Sequence, residues 1–344
     1  MDRLPLLVCA LVISLAACRA APSTEGAASA KASTGGAAAQ GAAGAPKGAQ
    51  AEPWNWSVEY VRREVGRVRA GRDLTPATWP GGARVAVLLS FDVDNETVFG
   101  LRDGQISVGP LSQGQYGSRT ALPRVLALLD ARKIPATFFF PAMSLELAPE
   151  MAAAIQASGR HEIAVHGWIH ERNTLLDEAT ERRLLRQAVD TLTRITGERP
   201  VGYRAPSWNF SPHTLDIVRE MGFLYESSLM ADDRPYELLA DGQATGLVEL
   251  PVDWILDDAP LSNPLGERYS PPRDVMQVWI DEFDRAWQER TMFLLTMHPH
   301  ITGHRSRIVA LRGLLDHIAR KGGVWYATER DAARYVRKQA GMPE

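Results

Sequence analysis

The sequence predicts an α/β protein whose parallel β-sheet is covered by helices and closes into a (β/α) barrel. Two observations support this fold class. Short apolar segments alternate with segments of helical period along residues 84–327, and each strand–helix unit spans a few tens of residues. The length of 344 residues favours closure into a barrel, although an open doubly wound sheet fits the same alternation.

The predicted strands are short and mostly apolar, as expected for strands buried on both faces. They comprise residues 84–91, 135–140, 162–165, 200–204, 223–226, 248–252, 292–297 and 324–327.

The predicted helices carry apolar residues at intervals of three and four, and several have recognisable ends. They comprise residues 118–130, 149–158, 178–196, 212–221, 274–288, 308–321 and a final helix after Thr328, with a further short helix and an arm within 53–80. Gly197 stands just past one helix, in the position that favours glycine. Ser211 and Pro212 form an N-cap and a first helical residue, and Thr328 with Asp331 forms a capping box.

The composition is that of an ordinary globular protein. The chain is 45% hydrophobic and 23% charged, with a formal net charge of -3. It has no dense cluster of Lys and Arg, so nucleic-acid binding has no electrostatic support.

Residues 1–18 are predicted to be a lipoprotein signal peptide. The apolar run over residues 4–15 is shorter than the roughly 20 residues that a membrane-spanning helix requires. It ends in Leu15-Ala16-Ala17-Cys18, which resembles a bacterial lipobox, whose cysteine becomes lipidated. Cleavage without a lipid is the alternative. We therefore expect a lipid anchor in the bacterial cell envelope. Arg19 after the cysteine favours the outer membrane, on its periplasmic or surface face.

Residues 19–52 are predicted to be a flexible tether, because they are almost all Ala, Gly, Ser, Thr, Gln and Pro and lack apolar periodicity. The remaining residues, 53–344, are predicted to form one folded domain.

Polar residues follow several of the predicted strands at the point where each strand ends. They are Asp92, Asp94, His166, His170, Arg204, Asp253 and His298. In a barrel of parallel strands the carboxyl ends meet on one face, where active sites form. The alternation therefore predicts that these side chains share a site.

His166 and His170 have metal-ligand spacing. Two imidazoles four residues apart lie on one face of a helical turn, so we expect both to reach one ion. Catalytic zinc usually takes three protein ligands and leaves a position for water, and Asp92 or Asp94 can supply the third. The alternatives are solvated acids at a strand end and surface histidines.

Five stretches of the chain, in this order, resemble the motifs of the polysaccharide deacetylase family, a group of metal-dependent carbohydrate esterases and amidases. They are Ser90-Phe91-Asp92-Val93-Asp94, His166 with His170, Arg204-Ala205-Pro206-Ser207-Trp208, Asp253-Trp254 and the strand that leads to His298. The first stretch departs from the common form of the family, in which the two aspartates are adjacent. This variant is similar to peptidoglycan deacetylase-like proteins and to hydrolases of cyclic imides and ureides. In the fourth stretch, Asp257 and Asp258 compete with Asp253.

The resemblance implies a distorted seven-stranded (β/α) barrel and a role for each residue. Asp94, His166 and His170 hold one divalent ion, with zinc favoured. Asp92 is the general base and is steadied by Arg204. His298 is the general acid. Substrate-binding residues are Trp208, Trp254 and Asp253, whereas the roles of Glu96, His300 and His304 stay open.

The implied reaction is removal of an acetyl group from an N-acetylated envelope polysaccharide or peptidoglycan. One alternative is hydrolysis of a cyclic imide, a ureide or another small amide at the same site. The other, from a different class, is a catalytically silent carbohydrate-binding envelope protein. The complete set of candidate ligands, base and acid argues against a silent protein.

Overall fold

The computed structural model describes residues 52–262 and 269–342. The predicted signal peptide, residues 1–18, and all but the last residue of the predicted tether lie outside the described residues, so both stay predictions. All the described strands belong to one compact unit that begins at Trp56.

Every predicted strand is present, and two further strands were missed. The strands are β1 Val68–Asp73, β2 Val85–Asp92, β3 Thr137–Phe140, β4 Glu162–Val165, β5 Gly202–Tyr203, β6 Tyr225–Glu226, β7 Tyr236–Ala240, β8 Gln243–Glu249, β9 Met292–Met297 and β10 Val324–Ala327. The missed strands are β1 and β7. β1 was missed because its sequence, VRAGRD, is largely polar and four of its six residues are exposed.

The predicted helices are also present, with small shifts at their ends. The helices are α1 Val58–Gly66, α2 Val108–Tyr116, α3 Leu122–Arg132, α4 Ala142–Leu147, α5 Glu150–Gln156, α6 Glu178–Thr196, α7 Thr214–Glu220, α8 Asp258–Ser262, α9 Pro272–Glu289, α10 Pro299–Thr302, α11 Ile308–Lys321 and α12 Glu329–Gln339. Gly197 ends α6 with a φ of 78°, and the Thr328 side chain accepts a hydrogen bond from Asp331 N at the start of α12. Among the described helices, none is both long and apolar enough to cross a membrane.

The sheet is a curled, barrel-like arrangement of parallel strands. β9, β2, β3, β4, β5, β6 and β8 pair side by side in that order, all in parallel. β10 pairs with residues 85–88 of β2, and β3 pairs with residues 90–92. β9 pairs with residues 86–91 along one edge of β2. β10 and β3 therefore both lie along the opposite edge of β2, one after the other. The parallel part of the sheet is thus seven strands wide. This arrangement agrees with the (β/α) barrel that the sequence analysis predicted.

An antiparallel hairpin extends the sheet beyond β8. β7 and β8 are joined through Asp241 and Gly242, which both have positive φ, at 47° and 78°. This backbone conformation suits a tight two-residue hairpin turn. β1 then pairs with the outer edge of β7.

The side chains of β2 alternate between two cores. Val87 and Leu89 pack in the large core that includes the outer helices, whereas Ala86 and Leu88 pack in a second core with residues of α12. Successive residues of a strand face opposite sides of the sheet, so the even-numbered residues face the inside of the barrel. The same alternation carries Asp92, at the carboxyl end of β2, to the inner side.

Candidate active site

The carboxyl ends of four strands supply the central residues of the site. Asp92 is the last residue of β2, and His166, Arg204 and His298 directly follow β4, β5 and β9. All four strands run in parallel, so these side chains meet at one end of the sheet.

Three buried side chains form a group that could hold a metal ion: Asp94, His166 and His170. His166 Nε2 lies 3.7 Å from Asp94 Oδ1, and His170 Nε2 lies 3.6 Å from Asp94 Oδ2. The ligand atoms of the group all lie within 4.8 Å of one another. Asp94 Oδ1 is buried and lacks a hydrogen-bond partner among the described residues. One carboxylate and two imidazoles suit a zinc site that keeps a position for water.

The segment that joins the two histidines is a loop, so the predicted helical turn is wrong. Gly167 and His170 have positive φ values of 75° and 62°. The Glu171 carboxylate accepts hydrogen bonds from the backbone N–H groups of Trp168 and Ile169 at 2.8 to 3.0 Å, which stabilises the loop in place of helical bonds. A Cβ at Gly167 would lie 2.7 Å from Pro206 Cγ, so glycine is required at this position.

The two histidines differ in the contact that each Nδ1 makes. His166 Nδ1 lies 2.9 Å from the Arg204 carbonyl, so Nδ1–H donates there and Nε2 faces Asp94 with its lone pair. Burial lowers the pKa of His166 to about 4, which keeps the ring neutral. His170 Nδ1 instead accepts from Arg102 Nη1 at 3.0 Å, because a guanidinium can only donate. In a neutral imidazole whose Nδ1 accepts, the proton is on Nε2. An ion can bind at Nε2 only if that proton moves to Nδ1, and Arg102 must then move away.

Asp92 is held ionised beside the ligand group. Arg204 Nη1 donates to its Oδ1 at 2.8 Å, and its Oδ2 lies 3.6 Å from His166 Nε2. Burial alone raises the pKa of Asp92, but the charges of Arg204 and His298 and the hydrogen bond from Arg204 outweigh burial and lower the pKa below its usual value. Among the described residues, Asp94 has no comparable hydrogen-bonded partner, and burial raises its pKa to about 7.

The Arg204 guanidinium is fully buried and its donors are satisfied. Nε donates to the Ser227 carbonyl and Nη2 to Ser227 Oγ, both at 2.9 Å. Nη2 also donates to Glu329 Oε1 at 2.9 Å, and the group lies 4.0 Å above the Phe139 ring. Glu329, the first residue of α12, is a residue that the sequence analysis missed.

His298 is oriented by Asp258. Its Nδ1 and its backbone N–H both contact the Asp258 carboxylate, at 2.7 and about 3.0 Å, and Nε2 lies 3.5 Å from Asp94 Oδ2. Thr302 donates twice more to Asp258, which leaves that carboxylate well satisfied. Burial lowers the pKa of His298, but Asp258 and Asp257 outweigh it and raise the pKa well above its usual value. The ring is therefore a protonated imidazolium at neutral pH.

Comparisons with known proteins identify the family of the chain. Residues 111–225 match the polysaccharide deacetylase family model. The peptidoglycan deacetylase of Helicobacter pylori is 30% identical over 72% of this chain and 95% of its own length. The crystal structure of a Mycobacterium smegmatis protein described as a polysaccharide deacetylase is 35% identical, with a TM-score of 0.72 over 79% of this chain and 96% of that chain. The allantoinase PuuE is 27% identical, with a TM-score of 0.69 over 78% of this chain and 98% of that chain.

The chain belongs to the polysaccharide deacetylase family. It is therefore an enzyme of a family that hydrolyses amide carbon–nitrogen bonds. The part of the chain that matches the family model contains His166, His170 and Arg204, whereas Asp92, Asp94 and His298 lie outside it and are brought to the site by the fold.

The deacetylase fold places the three residues predicted to bind substrate at different depths. Trp208 is buried, and its ring packs against that of Trp254 at a centroid distance of 4.1 Å, while 47% of Trp254 is exposed. Asp253 accepts a hydrogen bond from Ile255 N and caps a short turn. It faces the cavity beside the first residues of β9, at the opposite end of that strand from His298. The structure thus does not bring Asp253 to the centre.

Of the residues with open roles, two histidines line a cavity beside the centre. The His300 ring is buried between those of His298 and Phe99, at centroid distances of 5.5 and 5.2 Å. The His304 ring stacks on Tyr116 at 4.3 Å. Glu96, half-buried, follows Asp94 closely in the chain, and burial raises its pKa. Only the fold brings these rings together, because no spacing in the sequence relates them.

Proposed function

We propose that this chain is a metal-dependent N-deacetylase of an N-acetylated envelope polysaccharide, with peptidoglycan the favoured substrate. One observation carries the proposal: a buried ligand group of Asp94, His166 and His170 lies in contact with an ionised Asp92 and a protonated His298. Amide hydrolysis needs a base and an acid beside an electrophilic centre, and this arrangement supplies both. The likeness to the peptidoglycan deacetylase of Helicobacter pylori supports the choice of glycan.

Asp94, His166 and His170 would hold one divalent ion, and zinc fits this donor set best. The unpartnered Asp94 Oδ1 and the inward Nε2 of His166 support this assignment. When bound, such an ion polarises the substrate carbonyl and lowers the pKa of a coordinated water.

Asp92 is proposed to be the general base. Its carboxylate is ionised, and Arg204 fixes its orientation through Oδ1 while Oδ2 faces the ligand group. A base held in this way takes the proton of the attacking water without losing its position.

His298 is proposed to be the general acid. An amine is a poor leaving group unless it is protonated, and the imidazolium of His298 can donate from Nε2. The Asp258 contact at Nδ1 stabilises the charged ring and directs Nε2 toward Asp94. Trp254, which packs on Trp208, is proposed to offer an exposed face to a sugar ring.

Acetate release tests this function. The purified full-length chain should release acetate from N-acetylglucosamine oligomers or from peptidoglycan, lose that activity with a chelator and regain it with zinc. Metal content is measured in the same samples. A protein that binds zinc yet releases no acetate from any glycan would overturn the proposal.

A second candidate is hydrolysis of a cyclic ureide. One observation supports testing it: the allantoinase PuuE is similar to this chain over 98% of the PuuE chain. Allantoin and a cyclic imide should therefore be assayed beside the glycans. Ring opening faster than acetate release would favour this candidate.

We also propose that the enzyme is attached to the cell envelope through a lipid on Cys18, with residues 19–52 as a tether. The supports are the Leu15–Cys18 stretch and the composition after it. The wild-type chain should be acylated and partition with membranes, and Cys18→Ser should not. Equal soluble recovery of both forms would contradict the anchor.

A further inference from the structure

Helix α1 exposes its apolar side chains. Val58, Val61 and Val65 are 58%, 39% and 51% exposed, and no residue of α1 is buried. Residues three and four apart are neighbours on a helix surface, so these three side chains form one valine strip. Single exposed valines are ordinary, whereas a strip of them on one helix indicates an interaction surface.

The amino end of α1 is capped and carries aromatic rings. Ser57 Oγ accepts a hydrogen bond from Tyr60 N at 3.1 Å, which stabilises the first turn. The partly exposed Trp56 ring packs edge-to-face on Tyr60 at a centroid distance of 5.3 Å, and the Arg63 guanidinium lies 5.1 Å from the centre of the Tyr60 ring. Tryptophan and tyrosine are enriched where an apolar phase meets water, because each ring has an apolar body and a polar edge.

The segment around α1 is basic. Residues 58–72 contain five arginines and two glutamates, so their formal net charge is +3. Glu64 forms ion pairs with two of the arginines. Arg62 and Arg69 are exposed, and within the part of the chain that the structure describes neither forms an ion pair with a carboxylate. Arg62 lies four residues after the first valine of the strip and three before the last, so it borders the strip.

The carboxyl end of α1 lies at the amino end of the sheet, opposite the catalytic centre. β1 follows α1 and pairs antiparallel with β7, which pairs antiparallel with β8. β1 therefore runs in the same direction as the parallel strands. Its first residue, Val68, pairs with Ala240 beside the hairpin turn, and Asp241 N donates to the Arg67 carbonyl at 3.2 Å.

The hairpin projects beyond the barrel. β8 pairs with β6 only at Val248 and Glu249, although it begins at Gln243. Residues 243–247 thus extend past the amino end of β6 by roughly 17 Å, at about 3.3 Å per residue. The hairpin tip, residues 240–244, and the end of α1 that is bonded to it form one projecting edge.

The charge and size of the valine strip favour a lipid surface over two other partners. Residues 19–52 contain no Leu, Ile, Val, Met or aromatic side chain, so their sequence offers nothing apolar to pair with the valines. A helix of nine residues is about 14 Å long, and three valines fall far short of the roughly 800 Å² per partner of a stable protein interface. Two copies of α1 would also bring their arginines together. An anionic bilayer attracts those arginines and accepts a small apolar strip among its headgroups.

We propose that α1 docks on an anionic phospholipid bilayer, with the valine strip among the headgroups and the arginines on the lipid phosphates. With a lipid on Cys18, the contact needs little affinity of its own. A flexible chain as long as residues 19–52 has a root-mean-square end-to-end distance of about 30 Å, which keeps α1 at a high effective concentration over the bilayer. Docking through the projecting edge directs the catalytic end of the sheet away from the bilayer, where a glycan polymer can reach it.

Hydrogen exchange tests the docking in the full-length chain. The chain is mixed with vesicles of phosphatidylglycerol and phosphatidylethanolamine, or with vesicles of phosphatidylcholine alone, and amide exchange is followed by mass spectrometry. Exchange should slow in α1 and in the hairpin tip on the anionic vesicles only. About 0.5 M salt should remove this protection, because salt screens exposed charges. Exchange in the segments after His166 and His298 should stay unchanged, and protection there instead would contradict the orientation.

Paired variants test the charge. Arg62→Gln combined with Arg69→Gln should reduce the docking equilibrium about thirtyfold, since one arginine near an anionic surface is worth about fivefold in binding. Arg183→Gln combined with Arg186→Gln removes two exposed arginines of α6 and should keep the protection of the wild type.

A second pair of variants tests the apolar strip. Val61→Gln combined with Val65→Gln should lose most of the protection on anionic vesicles. Glutamine forms helices at least as well as valine, so fraying of α1 does not explain such a loss. Val309→Gln changes an exposed valine of α11 and should behave as the wild type.

The same measurement identifies any other partner. Equal protection on neutral vesicles, or full protection in both α1 variants, would overturn the docking. Protection by peptidoglycan sacculi and not by vesicles would assign the valine strip to the glycan. Protection that rises with protein concentration in the absence of vesicles would assign it to a second copy of the chain. Because exchange is read in α1, the result does not depend on whether any glycan is deacetylated.

Discussion

Asp92 and Glu329 are bound by the same guanidinium. Arg204 Nη1 donates to Asp92 Oδ1 at 2.8 Å and Nη2 donates to Glu329 Oε1 at 2.9 Å, and all three side chains are buried. The first residue of α12 is thereby connected to the proposed base at the end of β2. Burial raises the pKa of Glu329 to about 7, although Arg204 opposes the shift.

The first prediction concerns this shared arginine. Glu329→Leu should lower the free energy of unfolding by about 3 kcal/mol, the low end of the usual cost of breaking a buried ion pair, because Asp92 still pairs with Arg204. Urea denaturation measures the change. Glu220→Leu breaks an exposed pair with Arg182 and should cost less than about 1 kcal/mol. Equal losses of unfolding free energy in both variants would show that the buried pair stabilises the protein no more than the exposed pair.

Much of the fold could be predicted because its main signals are local. β2, β4 and β9 are apolar runs, and the polar residues that follow them meet once the strands are parallel. By contrast, β1 is largely polar and exposed, and β7, with the sequence YELLA, shows no regular alternation of apolar and polar residues. The His166–His170 spacing suggested a helical turn, but Gly167 and the Glu171 carboxylate stabilise a loop with similar reach.

Other parts of the site depend on packing between distant segments. The capping box after β10 predicted the start of α12, but no pattern in the chain indicates that Glu329 turns inward to Arg204. Among Asp253, Asp257 and Asp258, the sequence alone could not choose. The fold selects Asp258 as the partner of His298 Nδ1 and places Asp253 at the opposite end of β9 from His298.

The second prediction divides the work of the two aspartates. Asp94→Asn should weaken metal binding together with activity, since a ligand is altered. Asp92→Asn should keep its metal and lose about 10²–10⁴ in rate, the usual contribution of a general base. Bound metal is measured after dialysis, with exposed Asp216→Asn as the control. An empty Asp92→Asn and a full Asp94→Asn would reverse the assignment.

The third prediction isolates the general acid. His298→Ala should keep its metal but lose most turnover on amides. It should lose much less on activated aryl acetates, because their leaving group departs without a proton. The two substrates are compared by kcat in the same preparation. An equal loss on both would assign His298 to another task.

The fourth prediction concerns the pH profile that Asp258 sets. Activity falls at high pH when the general acid loses its proton, and Asp258 raises the pKa of His298. Asp258→Asn removes the negative charge, so the decline should begin at a lower pH. The profile of kcat measures it. Asp253→Asn should leave the position of the decline unchanged, and a shift in that variant instead would make Asp253 the partner of the acid.

A second pair of buried acids lies where β6 and β8 meet. Glu226 and Glu249 are directly paired across the strands, and both carboxylates accept from Ser228 N, at 3.0 and 2.9 Å. Burial and the neighbouring Glu226 raise the pKa of Glu249 well above its usual value. The folded protein therefore holds a proton at this pair under conditions where the unfolded chain has released it.

The last prediction follows from the sign of that shift. Because the folded state binds more protons than the unfolded state above the ordinary glutamate pKa, wild-type stability should fall as pH rises toward the folded value, by at most about 1.4 kcal/mol per pH unit for one proton. Glu249→Gln cannot titrate, its amide oxygen can still accept from Ser228 N and Leu229 N, and its amide nitrogen can donate to Glu226. Its stability relative to wild type should therefore increase from pH 5 to pH 8 in urea denaturation. Exposed Glu178→Gln, where Arg182 lowers the pKa, should not show this gain. A pH-independent difference between Glu249→Gln and wild type would mean that Glu249 is ionised in the folded protein.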